Sequence, residues 1–467
     1  MQLRRRQFLI GSAAALASTR SWARAASTNP DVIVIGAGLA GLNAAQLLQE
    51  SGLSVLVLEA EQRVGGRVRT LQDVPERCET GGSEVGPYYA RILNEFQKHS
   101  IGTRKLEFGG LDFALHVDGQ MIRRQDWPTS PLNRVPEPGK KIIPPGIEAA
   151  FTPRETDLAE LDSWLGAARD LPDLSLDAHF RAAGANEQAL RFLLLASQAD
   201  DLQGESLRWN LRKKKVSDWG RASAGSAFMQ VVGGMSEVPR AMAATLSVAP
   251  ELGQIVTRID SRADGVRVRT RSGQRYAAKF VVCTVPLTVL RSIEIRPGLP
   301  ALQAEAVREI PYGNATSAFF RVKQPFWDKD GYGSSLWSEG PAGRAYSWST
   351  PSGSYIWAFL AGITNRPLRT MADAEALRYI EQQLYHTRPA MQGAIEPIGI
   401  MNWSAHPYSL GTYAYRAPGQ IARYGNIVAD PHARIHFAGE HTAVFFQGLE
   451  GAMESGERAA LEVLDRV

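Results

Sequence analysis

A short N-terminal stretch has residue types and spacing suited to holding a charged ligand. Gly36, Gly38 and Gly41 make G-x-G-x-x-G within Gly36-Ala37-Gly38-Leu39-Ala40-Gly41. Glu59 follows about 20 residues on, with Arg63 and Arg67 just behind it. The first glycine permits a tight turn, the second lets backbone approach a diphosphate, and the third lets a helix pack on a strand. A carboxylate placed like Glu59 binds ribose hydroxyls, and arginines meet phosphates. The chemistry indicated is capture of a dinucleotide. FAD and NAD share the half that this pattern reads, so it does not choose between them. No rival chemistry stands out in the sequence. Its 8 histidines lack ligand spacing, and it has no metal-site, nucleophile-elbow or triad signature. Reaction chemistry would then belong to the cofactor, with the protein supplying orientation, a dry site and electrostatics.

The elements around the motif fit it. Val32 to Ile35 is a β-branched apolar run, as in a strand buried on both faces. Leu39 to Ser51 has helical apolar spacing (Leu42, Ala45, Leu48), and Gly52 stops it. Val55 to Leu58 is a second strand, ending at Glu59-Ala60. Strand, glycine turn, helix, strand and acid together make a dinucleotide-binding unit.

The 467 residues suit two or three domain-sized units, and 44% hydrophobic with 21% charged content is ordinary for a globular protein. No apolar run of about 18 residues occurs beyond the N-terminus, so no internal membrane span is expected. The net charge of +4 comes from the first 25 residues, which hold Arg4, Arg5, Arg6, Arg20 and Arg24 and no acid. The remaining charges balance to within one, which gives no case for nucleic acid. Lys213 to Lys215 reads as a solvated loop or helix end. Cys78 and Cys283 make no metal motif or disulfide framework, although one bridge between them stays open. Arg4-Arg5-Arg6-Gln7-Phe8-Leu9, the apolar stretch Phe8 to Ala17 and Ala23-Arg24-Ala25 form a twin-arginine export signature with a cleavage site. The expectation is a signal peptide over 1–26, the twin-arginine machinery as partner, and a periplasmic or secreted protein. That route carries folded proteins, which suits a chain that takes up its cofactor first.

Further along, Glu59-x-x-x-Arg63-x-Gly65-Gly66-Arg67 resembles the FAD-dependent amine oxidase superfamily. Glu79-Thr80-Gly81-Gly82-Ser83-Glu84-Val85-Gly86-Pro87 is similar to that family's next segment, which passes near the flavin. Arg434 to Thr442 and Gly448-Leu449-Glu450-Gly451 to Gly456 resemble its last motif, in which a helix N-terminus faces the flavin. The resemblance spans almost the whole mature chain. It implies FAD rather than NAD, and hydride transfer from an amine to the flavin, giving an imine that water hydrolyses. It implies an α/β fold: a doubly wound, Rossmann-like FAD-binding domain with an α+β substrate domain. The FAD domain would be assembled from 29–105, 225–305 and 405–467. Residues 106–224 would form a helical substrate region, and 306–404 a substrate sheet with a helix. Within the first of these, Pro128 to Pro153 reads as an irregular loop, and Leu158 to Trp164, Leu176 to Arg181 and Glu187 to Leu195 as helices. Ile255 to Ile259, Val266 to Thr270 and Arg275 to Val282 read as a β-meander. Met371 to His386 reads as an amphipathic helix.

The resemblance also assigns site residues. Beside the glycine motif, FAD contacts fall on Arg63, Gly65, Gly66, Arg67, Gly81, Gly82, Ser83, Glu84, Gly439, Glu440, Gly448 and Leu449, with backbone of Val256 at the adenine. Tyr413 aligns with one wall of the family's aromatic cage, and Tyr413, Ser317 and Trp403 are the candidate catalytic residues. The second wall precedes the last helix, where this chain is one residue short and has Gly448, so the pocket is half open unless Phe445 or Phe446 substitutes. Thr412 stands where some relatives carry a flavin-bonded cysteine, so FAD should be non-covalent. Ser317 falls where the family usually has a lysine that supports reaction with oxygen. Electron transfer to a quinone or redox protein therefore competes with O2. Glu84 replaces the arginine that binds carboxylate in L-amino acid oxidases, which argues against an amino acid substrate. Non-amine oxidation, as in the related desaturases and porphyrinogen oxidases, and a flavoprotein without turnover are the alternative readings. Tyr346, Trp348, Tyr355, Trp357 and Phe359 alternate as in a strand, and sheet core is their ordinary role.

Overall fold

The computed structural model describes residues 29–106, 112–153, 158–166, 173–350 and 352–467; the expected export segment at 1–26 lies outside them. A four-stranded parallel sheet holds the first core. Its order is Ile435–Phe437, Phe280–Cys283, Val32–Ile35, Val55–Leu58, and Leu58 adds a parallel bridge to Glu251. Val32–Ile35 and Phe280–Cys283 are buried throughout, as strands covered on both faces must be. Val32, Val34, Val57 and Val282 pack beneath the helices Leu39–Glu50, Ala90–Lys98, Glu237–Ala244 and Gly448–Leu464. Ile33, Ile35, Leu58, Val281 and Cys283 face Val256, Ile259, Val266 and Val268 of the meander and the Ala301–Glu309 helix.

The stretch Arg275 to Val282 is not one strand. Arg275–Ala278 pairs antiparallel with Gly265–Thr270 in the meander, whereas Phe280–Cys283 leaves it and pairs parallel with Val32–Ile35. The division falls at Lys279, which is paired with Asp31 at 2.8 Å. Alternation on one side and a continuous apolar run on the other mark the change from a half-covered to a fully buried strand. Cys78 and Cys283 are both free and buried, in different clusters.

A seven-stranded sheet forms the second core, in the order Ile395–Asn402, Ala315–Val322, Gly353–Ala361, Arg344–Thr350, Ser335–Ser338, Phe113–Val117, Gln120–Arg123. Ala318, Phe320, Ile356, Ala358 and Leu360 pack one face on the Asp373–Thr387 helix. On the other face Tyr346 and Trp337 meet the helices Leu176–Ala182 and Glu187–Ala196, while Phe319 and Tyr355 meet Cys78.

Two expectations fail locally. Leu158 to Trp164 forms turns rather than a helix, although Leu158 and Trp164 are buried as their spacing suggests. Apolar spacing reports which side chains go inside, and here tertiary packing on Trp209 buries them without a helical ladder. Conversely, Leu207–Ala224 is an 18-residue helix capped by Ser206, so Lys213 to Lys215 lies mid-helix and half-buried. Buried Arg208 and Arg212 break its apolar period and hide it from a pattern reading. Between Pro128 and Pro153 the chain makes short 3₁₀ turns and one helical turn.

Candidate functional site

The glycine turn is shaped by close backbone contact. Gly36 has φ +104°, and a side chain on Gly41 would stand 2.0 Å from the Gly36 carbonyl oxygen. A Cβ on Gly38, by contrast, meets nothing within 4 Å, so the turn is open on that side. Leu39 and Ala40 are buried under it, leaving backbone to face a ligand. The helix behind the turn has no side-chain cap and no acid in its first turn, which leaves its N–H groups and positive end for an anion. Glu59, 6% exposed, accepts from Ala37 N–H at 2.7 Å and Glu61 N–H at 2.8 Å. Burial raises its pKa against those two bonds. A carboxylate has acceptor capacity beyond two bonds, and the remainder suits hydroxyls.

Arg63 is spent within its own loop: it pairs with Glu61 and donates to the carbonyls of Val64, Gly66 and Val68. It therefore shapes the Gly65–Gly66 loop, which docks on the turn through Gly65 N–H to the Ala37 carbonyl. Arg67 reaches the other end of the site. Its Nη1 donates to the Thr412 carbonyl at 2.5 Å and to Glu440 Oε1 at 2.8 Å, and the same oxygen accepts from Ala414 N–H. Burial works against the Arg67 charge, but Glu440 and Tyr312 outweigh it and raise its pKa.

Gly81 and Gly82 run between these parts. A Cβ on Gly81 would lie 2.0 Å from the Arg67 carbonyl oxygen, and one on Gly82 would lie 2.7 Å from Leu449. Trp403 stands behind them, with Nε1 on the Thr80 carbonyl at 2.6 Å, and so positions the segment. Ser83 and Glu84 follow, half-buried; burial raises the Glu84 pKa. Val256 begins its strand beside a register shift before Arg258, the kind of irregularity that frees backbone near a site.

The final helix, Gly448–Leu464, also lacks a side-chain cap, and a Cβ on Gly448 meets open space. Its first-turn acid, Glu450, is turned onto the N–H groups of Arg91 and Ile92. Gly439, at φ +122°, is held by Ser455. The loop before the helix is clamped from both sides. Glu454 accepts from the N–H groups of Val444, Phe445 and Phe446, while Arg212 donates to the carbonyls of Ala443, Val444 and Phe446. Phe446 packs on Trp219 and Phe445 is 41% exposed, and among the described residues neither ring meets Tyr413.

Tyr413 is half-buried, and desolvation together with Glu205 raises its phenol pKa. Thr412 Oγ1 donates to Gln198 at 2.8 Å. Ser317, 2% exposed, lies in the cross-strand row Met401, Ser317, Phe359, Arg344. Gln198, Glu205, Arg212 and Glu454 carry no local sequence signal of a site role. Arg344 does carry one, because it extends the period-two series of Tyr346 and Trp348 by one step.

Two uncapped helix N-termini, each beside a glycine whose Cβ position is empty, would suit a long ligand with a diphosphate at one end. This is the layout of a dinucleotide-dependent oxidoreductase. Residues 39–464 match the family model described as "Flavin containing amine oxidoreductase", and the chain belongs to that family. It is 31% identical to flavin-containing amine oxidase B of Bos taurus and 30% identical to that of Homo sapiens, over 94% of this chain and 86% of each relative. Cyclohexylamine oxidase from Brevibacterium oxydans IH-35A shares the fold with TM-score 0.74 at 21% identity, and putrescine oxidase bound to putrescine with 0.73 at 22%. Each match covers 94% of this chain and 99% of the other. The protein is an FAD-dependent oxidoreductase acting on CH–NH groups.

Proposed function

We propose that the protein is exported and oxidises a primary or secondary amine to an imine, with an acceptor other than O2 as the better electron sink. Bound FAD would supply the hydride acceptor. The carrying observation is the state of Tyr413, whose phenol is desolvated with the charges of Glu205, Arg344 and Glu440 acting on it. A dry aromatic wall favours the neutral amine, the form that can give up hydride. Uncapped N–H groups of the last helix would stabilise negative charge on the reduced ring. Gln198 holds the hydroxyl of Thr412, which has no thiol to offer for a covalent link. Ser317 brings no charge to a developing superoxide, and this supports the choice of acceptor.

Purified holoenzyme mixed without oxygen with a panel of amines should lose its visible flavin absorbance with at least one of them. Bleaching by none sinks the amine reading. With the reduced enzyme in hand, Ser317→Lys should speed reoxidation by O2 about tenfold or more. A wild type already as fast as the variant removes the argument from Ser317. Cleavage of the chain near Ala25 on export, read by the mass of the mature protein, tests localisation.

A further inference from the structure

We propose that Arg344 is a carboxylate-binding residue of the substrate site, and that the substrate is an amine that also carries a carboxylate group. This rests on the amine reading above and narrows it.

Cross-strand pairing sets the direction of the side chain. Arg344 pairs with Phe359, and Phe359 with Ser317. Directly opposed residues share a face. The alternating neighbours Ala345, Ala358 and Ala318 are buried against the Asp373–Thr387 helix, so the row of Arg344, Phe359 and Ser317 points the other way. Further along that face, Tyr346 and Trp357 pack into core clusters, whereas Phe359 belongs to none and lies between Trp357 and the Arg344 guanidinium. The Arg344 charge also lies close enough to Tyr413 to act on its phenol. Arg344 therefore stands on the sheet face that carries Ser317, with its charge within reach of Tyr413.

Its guanidinium is held but not satisfied. It lies over the Phe359 ring, 4.9 Å from the centroid. Among the described residues it makes no side-chain hydrogen bond or ion pair, and Nη2 is buried without a partner. On the adjacent strand and the same face, Trp357 Nε1 is a second buried donor without a partner. Buried donors, above all charged ones, ordinarily find acceptors, and leaving them empty is unfavourable. The nearby Glu205 is not free to serve. Its oxygens are taken by Ser197 at 2.7 Å and Asn210 at 2.9 Å, with Lys213 at 3.5 Å.

The missing acceptor is an anion, and the guanidinium fork matches a carboxylate through two parallel bonds. A single negative charge fits better than a dianion, because Glu205 and Glu148 also act on Tyr413. Glu84, which argues from the sequence against an amino acid, acts instead on Tyr89. A carboxylate can thus be read from a strand far from the position where relatives read it.

Benzoate titrated into the holoenzyme, followed by the visible flavin spectrum, tests the site without turnover. Wild type should show a saturable shift. Arg344→Met should weaken benzoate at least tenfold while keeping its FAD, and Arg344→Lys should recover part of the loss. Anaerobic bleaching then compares phenylalanine with phenethylamine, ornithine with putrescine, and γ-aminobutyrate with butylamine. The carboxylate-bearing member of at least one pair should lead by tenfold or more, and that ratio should fall at least tenfold in Arg344→Met. Equal benzoate binding in wild type and Arg344→Met overturns the proposal, as does an unchanged ratio. If benzoate binding depends on Arg344 but no amine bleaches the flavin, the failure lies in the amine reading. If Arg344→Met only slows reoxidation by O2, the residue serves oxygen and the proposal falls.

Discussion

The glycine turn and the sheet face around Ser317 are built in opposite ways. Beside the turn, Glu59 and Arg63 find partners nearby: Glu59 on Ala37 and Glu61, and Arg63 on its own loop. The ligand is left with backbone and an uncapped helix end. At the sheet face Ser317, Phe359 and Arg344 come from three strands, Tyr413 from a fourth segment, and Gln198 and Glu205 from the helical region. There the structure leaves Arg344 Nη2 and Trp357 Nε1 buried without partners. Local sequence suffices to hold a cofactor half that never reacts. Substrate choice is left to side chains gathered from afar and not satisfied by one another.

The contrast can be broken most severely at the turn. Gly41→Ala should cost about 3 kcal/mol or more, because the new methyl meets a backbone carbonyl that cannot move. The protein should be recovered without FAD or not at all. Gly38→Ala should separate binding from folding. The chain should keep its denaturation midpoint when freed of FAD, yet bind FAD about 100-fold more weakly, equivalent to about 2.7 kcal/mol. Equal damage to both would show that the open space over Gly38 is not the ligand's. Next comes the junction of the two regions. Glu440→Gln removes the charge opposite Arg67 but keeps an acceptor, and should cost about 2 kcal/mol in chemical denaturation. No loss would mean that Arg67 is satisfied by the Thr412 carbonyl alone.

The last effect, which vanishes at low pH, belongs to Glu79, on the segment joining both regions. Its carboxyl accepts from Met235 N–H and the Thr70 hydroxyl, but burial raises its pKa from an ordinary 4.5 to about 7. The unfolded chain releases this proton near 4.5 and the folded chain near 7. In that window the folded state binds more protons, so stability is greatest below 4.5 and falls as pH rises through 7. Glu79→Gln should match wild type at pH 4.5. At pH 8 it should be more stable by about 2 kcal/mol, discounted for partial exposure. Denaturation series at both pH values check this, and a pH-independent difference would assign the effect to packing instead.

The βαβ unit was legible almost to the residue, from Val32–Ile35 through Leu39–Glu50 to Val55–Leu58. Its strand periodicity, glycines and acid act on neighbours in the chain, so their spacing carries their meaning. The division of Arg275 to Val282 between two sheets was written in the change of pattern at Lys279, but which strand the second half joins was not. The helix Leu207–Ala224 was hidden because Arg208 and Arg212 are buried in it, and only contacts with distant segments make a buried arginine tolerable. Likewise Phe445 and Phe446 were readable as aromatics near the site. Their removal from Tyr413 depends on Arg212 and Glu454 clamping the loop from elsewhere in the chain.

By itself the sequence determined that this protein holds a dinucleotide and, through its resemblance to a family, that the dinucleotide is FAD. The same resemblance gave the expectation that Ser317, Thr412 and Glu84 depart from what relatives carry. Tertiary structure alone decided that Arg344 shares a face with Ser317 and stands near Tyr413 with a donor to spare. Sequence spacing controls what a turn or helix end presents, because those groups are covalent neighbours. Pairing of strands from separate parts of the chain controls which side chains share a wall, and that register is set by burial of the opposite face.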